Sequence, residues 1–171
     1  MKLRYNVATA LMAAALCVAA PVAVPLGPVP VTLATLVVYL AAGLLGPWRS
    51  AAAVGLYLLL GAVGLPVFAG FSGGFLWGYL LCALLAGALC PRSRPALLPL
   101  WLAVGAAVLY AAGCGWYAWQ THTPLWTAVA VCALPCLAGE MVKIAVASGL
   151  ILSLRGRVHR LLTADVKKDR L

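Results

Sequence analysis

The stretch LAGEMVKIAV, residues 137–146, holds Glu140 and Lys143 three positions apart. Within the otherwise apolar run 125–154 they are the only acid and the only Lys or Arg, and every other charged residue lies at an end of the chain or in a short connection. On a helix, residues i and i+3 share a face, so a carboxylate and an ammonium at this spacing can pair. Each charge carried into lipid costs about 2.5–3.5 kcal/mol on insertion scales. A self-satisfied ion pair that fixes helix packing is one reading, although an apolar pair would be cheaper. The other is function, the default expectation for ionisable residues inside a membrane. Three chemistries fit: a polar head group offering N–H donors and a carbonyl together, such as a ureido ring; a ligand carboxylate matched by Lys143; or proton relay through Glu140.

These residues need elements to hold them, and the composition says which kind. The chain has 171 residues, enough for one domain; 65% are hydrophobic and only 9% charged. A soluble domain carries about 25% charged residues, so this chain expects lipid as its solvent and reads as a single integral membrane domain over 1–171. The net charge of +9 does not point to nucleic acid, because the basic residues mark loops and ends and do not form a folded basic face. Six apolar segments can be drawn, at about 5–24, 29–46, 48–66, 75–90, 97–119 and 125–154, separated by the turn-forming stretches PLGP, GP, FAGFSGG, PRSRP and QTHTP. In lipid the backbone must bond to itself, and segments this continuously apolar are helices, not barrel strands. The sequence therefore predicts an all-α protein with six transmembrane helices. Lys2 and Arg4 before an apolar stretch resemble a signal peptide, but Pro21 directly after Ala20 disfavours cleavage, and the reading is an uncleaved span.

Eleven of the twelve basic residues lie at the N-terminus, in the second connection (Arg49), in the fourth (Arg92 and Arg94) or at the C-terminus; the twelfth is Lys143. Connections one, three and five have none. The positive-inside rule then puts both termini in the cytoplasm. Thirty residues of helix in the last segment would be about 45 Å long, too long for one span. Pro135 removes a helical hydrogen bond, so the last helix is expected to break near it. A short outer helix or re-entrant arm would cover 125–134 and a final span about 138–154, with Glu140 in its first turn, where the helix dipole favours a carboxylate.

Small residues recur at i, i+4, as in Ala51 and Gly55, Gly74 and Gly78, and Ala83 and Gly87, and permit close helix approach. On the first helix Ala10, Ala14 and the row Ala15, Ala19 and Ala23 are candidates for docking a partner membrane protein. The loop VFAGFSGGFLWGYL, residues 67–80, is expected on the same outer side as Glu140. Its glycines expose backbone N–H groups, and its aromatics suit either an interfacial belt or a cover over an apolar ligand. The six cysteines sit in apolar segments without a nearby His, which argues against a metal site.

The run PLGPVPVTLATLVVYLAAGLLGPWRSAAAVGLYLLLGAVGLPVFAG at 25–70, with SGGFLWGYL at 72–80 and AGEMVKIAVA at 138–147, closely resembles the BioY family. BioY proteins are the biotin-binding substrate components of energy-coupling-factor transporters. The resemblance implies a six-helix protein of the prokaryotic plasma membrane that captures biotin on the outer face, working with a membrane scaffold subunit and two ATPases. It implies no catalytic residue and no cofactor, biotin being ligand only. It places Glu140 and Lys143 on the ligand's ureido head, adds Ser72, Gly73, Gly74 and Phe75 as binding residues, and makes Ala15 and Ala19 the docking positions. The sequence departs from the family pattern in carrying Glu140 for Asp, Ala34 for Gln, and GFSGGFL for GPTGGYL. The rivals are a binding component for another small vitamin or a biotin precursor, an intramembrane enzyme using Glu140, and a membrane scaffold. Against the enzyme, the apolar segments carry no His and no second carboxylate to share proton work.

Overall fold

The computed structural model describes residues 2–24, 31–64 and 73–163. Among these the chain forms seven α-helices: α1 Lys2–Ala19, α2 Ala34–Leu45, α3 Pro47–Gly64, α4 Gly73–Leu89, α5 Leu98–Thr121, α6 Leu125–Cys132 and α7 Leu134–Thr163. Two-residue strands, β1 Ala23–Val24 and β2 Val31–Thr32, pair antiparallel between α1 and α2. The nearly all-helical expectation therefore holds, with boundary corrections. The first segment stops being helical at Ala19, because the chain turns at Ala20–Pro21 and pairs as β1. The second becomes helical only at Ala34, since β2 takes up Val31–Thr32. Gly73 and Gly74, expected in a loop, form the first turn of α4.

The last apolar segment does divide in two. The break falls at Ala133, and Pro135 sits in the first turn of α7, where a missing N–H breaks no intrahelical bond. Because α7 begins at Leu134, Glu140 lies in its second turn and not its first, so the dipole, which fades within one turn, is not what holds the carboxylate. Two helical stretches, Pro95–Thr121 and Leu134–Val158, are long and apolar enough to cross a membrane by themselves. At 12 residues, α2 rises only about 18 Å.

Close contacts at glycine pull the bundle together. A Cβ on Gly74 would come 2.1 Å from the Trp116 Cβ, one on Gly78 2.9 Å from the Leu109 carbonyl, and one on Gly87 2.7 Å from the Pro47 Cα. The small-residue positions on α4 thus seat it against α5 on one side and the start of α3 on the other. Gly55 has nothing within 4 Å and makes no such contact. Gly46 has φ +79°, a left-handed conformation that suits glycine, and lets α2 turn into α3 through one residue. Ser50, fully buried, has its hydroxyl 2.7 Å from the Gly46 carbonyl and 3.0 Å from those of Pro47 and Ala83, and shares its one proton among them.

Three contacts gather the basic connections at one end. The Arg49 guanidinium lies 3.7 Å over the Tyr5 ring, Gly87 abuts Pro47, and Arg155 donates to the Pro91 carbonyl. Glu140 lies fifteen residues up α7 from Arg155, about 22 Å away, toward the end where α4 begins and α5 finishes.

Candidate ligand-binding site

On α7, Glu140 and Lys143 both face inward, 3% and 9% exposed. Their contact is loose, with Lys143 Nζ 3.4 Å from Glu140 Oε2. The stronger bonds reach other elements. Tyr39 on α2 donates its hydroxyl to Glu140 Oε1. Tyr110 on α5 donates to Oε2 at 3.0 Å. Lys143 donates to the Thr32 carbonyl of β2 at 2.7 Å and to the Thr35 hydroxyl in the first turn of α2 at 2.9 Å. Thr32 Oγ1 in turn lies 3.1 Å from the Tyr79 hydroxyl on α4. One buried cluster thus joins β2, α2, α4, α5 and α7.

The local sequence explains the convergence. Thr32, Thr35 and Tyr39 are the only hydroxyl-bearing residues in VTLATLVVYLAAGLL, residues 31–45; Thr35 and Tyr39, four apart on α2, share a face, and Thr32 ends β2 just before the helix. The same face carries the buried Val38 and Ala42, so burying its apolar part carries the hydroxyls inside. Hydroxyls in an apolar interior need partners, and the charges on α7 supply them for Thr35 and Tyr39. The polar spacing on α2 was a readable signal for Thr35 and Tyr39. Tyr79 and Tyr110 carried none beyond being polar groups in apolar segments.

The residues expected at the site fall in different places. Glu140 and Lys143 form the centre. Phe75 is buried and meets the Tyr110 ring edge-on, centroids 5.9 Å apart at 84°, so it backs a side chain that bonds the carboxylate. Gly73 is buried at the start of α4, and Gly74 is pressed on Trp116. Ser72, with the rest of the stretch 65–72, lies outside the described residues. Close by, a groove of about 560 Å³ runs between α4 and α5, lined by Gly74, Trp77, Ala111, Trp116 and Trp119 among others, and it does not include the ion pair. On α1, Ala15 and Ala19 are half-buried; Ala10 and Ala14 are exposed beside Leu11 and Val18. Ala23 belongs to β1, so the alanine row ends at Ala19. No group of His, Cys, Asp and Glu suited to a metal occurs among the described residues.

Apolar helices packed around a buried ion pair define a helical protein of membrane type with a polar centre. The chain belongs to the BioY family, whose model matches residues 1–160. It is 33% identical over 166 residues to the biotin transporter BioY of Thermotoga maritima, covering 90% of this chain and 96% of that one. It is 37% identical over 154 residues to the biotin transporter BioY of Rhodobacter capsulatus, covering 75% and 80%. Its fold matches the crystal structure of the S-component for biotin from an ECF-type ABC transporter, with a TM-score of 0.79 over 91% of this chain and 92% of that one, at 24% identity.

Proposed function

We propose that this chain is the biotin-capture component of a vitamin transporter, a single membrane domain that binds biotin in the outer half of the bilayer with Glu140 and Lys143 on its ureido head. The observation that carries this reading is the buried pair, held by groups from two other helices, α2 and α5, and from strand β2. A urea places an N–H donor beside a carbonyl acceptor, and a carboxylate next to an ammonium is the matching arrangement. The family resemblance and the relatives named as biotin transporters support the same ligand. Phe75, Gly73, Gly74 and Ser72 would complete the pocket around its apolar part.

The membrane arrangement follows from charge. Six spans with both termini in the cytoplasm of a prokaryote put the basic end of the bundle on the positive-inside face. The short α2 is extended by the hairpin before it, and α6 serves as an outer arm to α7. The chain does no catalysis in this reading and needs no cofactor. Energy comes from a scaffold membrane subunit and two ATPases, with α1 as the docking helix through Ala15 and Ala19 and the exposed face beside them.

The test is biotin binding by purified protein in detergent, for wild type and Lys143→Ala. Tight wild-type binding that collapses in the variant supports biotin capture by the pair. Lack of wild-type binding moves the ligand to another small vitamin or a precursor. Binding untouched by the substitution returns the pair to a structural role.

A further inference from the structure

The bonds around the pair leave it no spare donor. An ammonium has three N–H groups, and those of Lys143 go to the Thr32 carbonyl, the Thr35 hydroxyl and the Glu140 carboxylate. The carboxylate accepts Tyr39 on Oε1 and both Tyr110 and Lys143 on Oε2. With both charged residues buried, a ligand carbonyl reaches the ammonium only by exchange, and a ligand N–H reaches Oε2, whose two lone pairs are both taken, only by replacing one of its donors.

Burial decides which group leaves. Tyr39 is 0% exposed and belongs to the central core. Turning its hydroxyl away would strand it in apolar surroundings and open a void. Thr35 is buried and holds the ammonium. Tyr110 is the one hydroxyl donor to the carboxylate that is partly exposed. Its ring lies edge-on to Phe75 and packs against the margin of the core, not within it, so moving it disturbs less buried packing than moving Tyr39.

We propose that Tyr110 is a placeholder donor: in the ligand-free protein its hydroxyl occupies the position on Glu140 that a ligand N–H takes over, and capture displaces it. This rests on the reading that Glu140 and Lys143 receive the ureido group of biotin. A bond made only in the ligand-free state opposes binding by as much as it stabilises that state. Its removal therefore tightens binding. Tyr39 stays on the carboxylate in both states, so removing its hydroxyl gives no gain.

The experiment is calorimetric titration of biotin into the detergent-solubilised full chain, for wild type, Tyr110→Phe and Tyr39→Phe, with melting temperatures of each with and without biotin. Tyr110→Phe is expected to bind roughly five- to tenfold tighter, tenfold being about 1.4 kcal/mol. Its melting temperature should fall more in the ligand-free protein than in the saturated one, and Tyr39→Phe should show no tightening. Tyr110→Leu, which also lacks the hydroxyl, repeats the test if the Phe variant does not fold. Equal or weaker binding in the Tyr110 variants, with wild-type binding intact, overturns this proposal alone and makes Tyr110 a ligand contact or a fixed support. No biotin binding by the wild type overturns the biotin reading, and this proposal with it.

Discussion

Replacing Lys143 with Met separates what the ion pair does for the fold from what it does for a ligand. The substitution removes the ammonium but leaves Glu140, 3% exposed, without its cation. Stranding one member of a buried pair costs about 3–5 kcal/mol. Here Tyr39 and Tyr110 still donate to the carboxylate, and a hydrogen bond to a charged group is worth about 1.5–3 kcal/mol, so the loss should sit near the lower bound, about 3 kcal/mol. The Thr35 hydroxyl and Thr32 carbonyl lose a donor as well, which keeps it from falling much below. For a chain of this length 1 kcal/mol moves a melting temperature by about 2–4 °C, giving a drop of roughly 6–12 °C in the ligand-free protein. Adding Glu140→Gln removes the stranded charge while keeping an acceptor for the tyrosines. Replacing both charges of a buried pair is often close to neutral, so the double variant should recover most of the stability. Biotin binding should be lost in both variants. The assay is thermal unfolding in detergent micelles, followed by tryptophan fluorescence, alongside binding. A single variant as stable as wild type, or a double variant as unstable as the single, would refute the buried-pair account. Binding restored with stability in the double variant would show that the charges serve packing only.

Two further substitutions test the packing that positions the site. Gly74→Ala drives a Cβ to 2.1 Å from the Trp116 Cβ and should lower the melting temperature by several degrees, corresponding to the roughly 1–3 kcal/mol typical of overpacking; Gly55→Ala, with open space around it, should leave it within a degree or two or raise it. If both variants behave alike, close approach is not what glycine provides on α4. Ser50→Ala removes the bond from α3 to the Ala83 carbonyl and should cost about 1–2 kcal/mol, read in the same melts; no change would mean that this contact contributes nothing net.

Much of the fold was legible because lipid leaves few choices. Continuous apolar segments separated by turn residues have to be helices, and each of the seven helices among the described residues falls on one of the six segments drawn from sequence, several running a few residues past its ends and α7 nine residues past, with the last segment divided near Pro135. The ends were less legible because capping and pairing decide them. Nothing in PVAV distinguishes a fraying helix from β1, since only its partner across the hairpin, Thr32 and Val31, makes it a strand. Glu140 was placed one turn too near a helix end because Pro135 was read as ending the preceding helix, when it opens α7.

That displacement changes the physical account of the site. A carboxylate in a first turn needs little beyond the backbone N–H groups facing it. A carboxylate in the second turn has no such groups, because each N–H is already bonded within the helix. Its donors must come from elsewhere, and the structure supplies them from α2 and α5 as well as from Lys143. The pair was visible from its own helix, but its supports were not, since Tyr39 and Tyr110 stand 101 and 30 residues away from Glu140 in sequence. The longer reach of Glu over the Asp of the family pattern fits a carboxylate that must meet hydroxyls on two different helices. The cluster is therefore a property of how α2, α5 and α7 pack, and substitutions that shift those helices should move binding even where they touch neither charge.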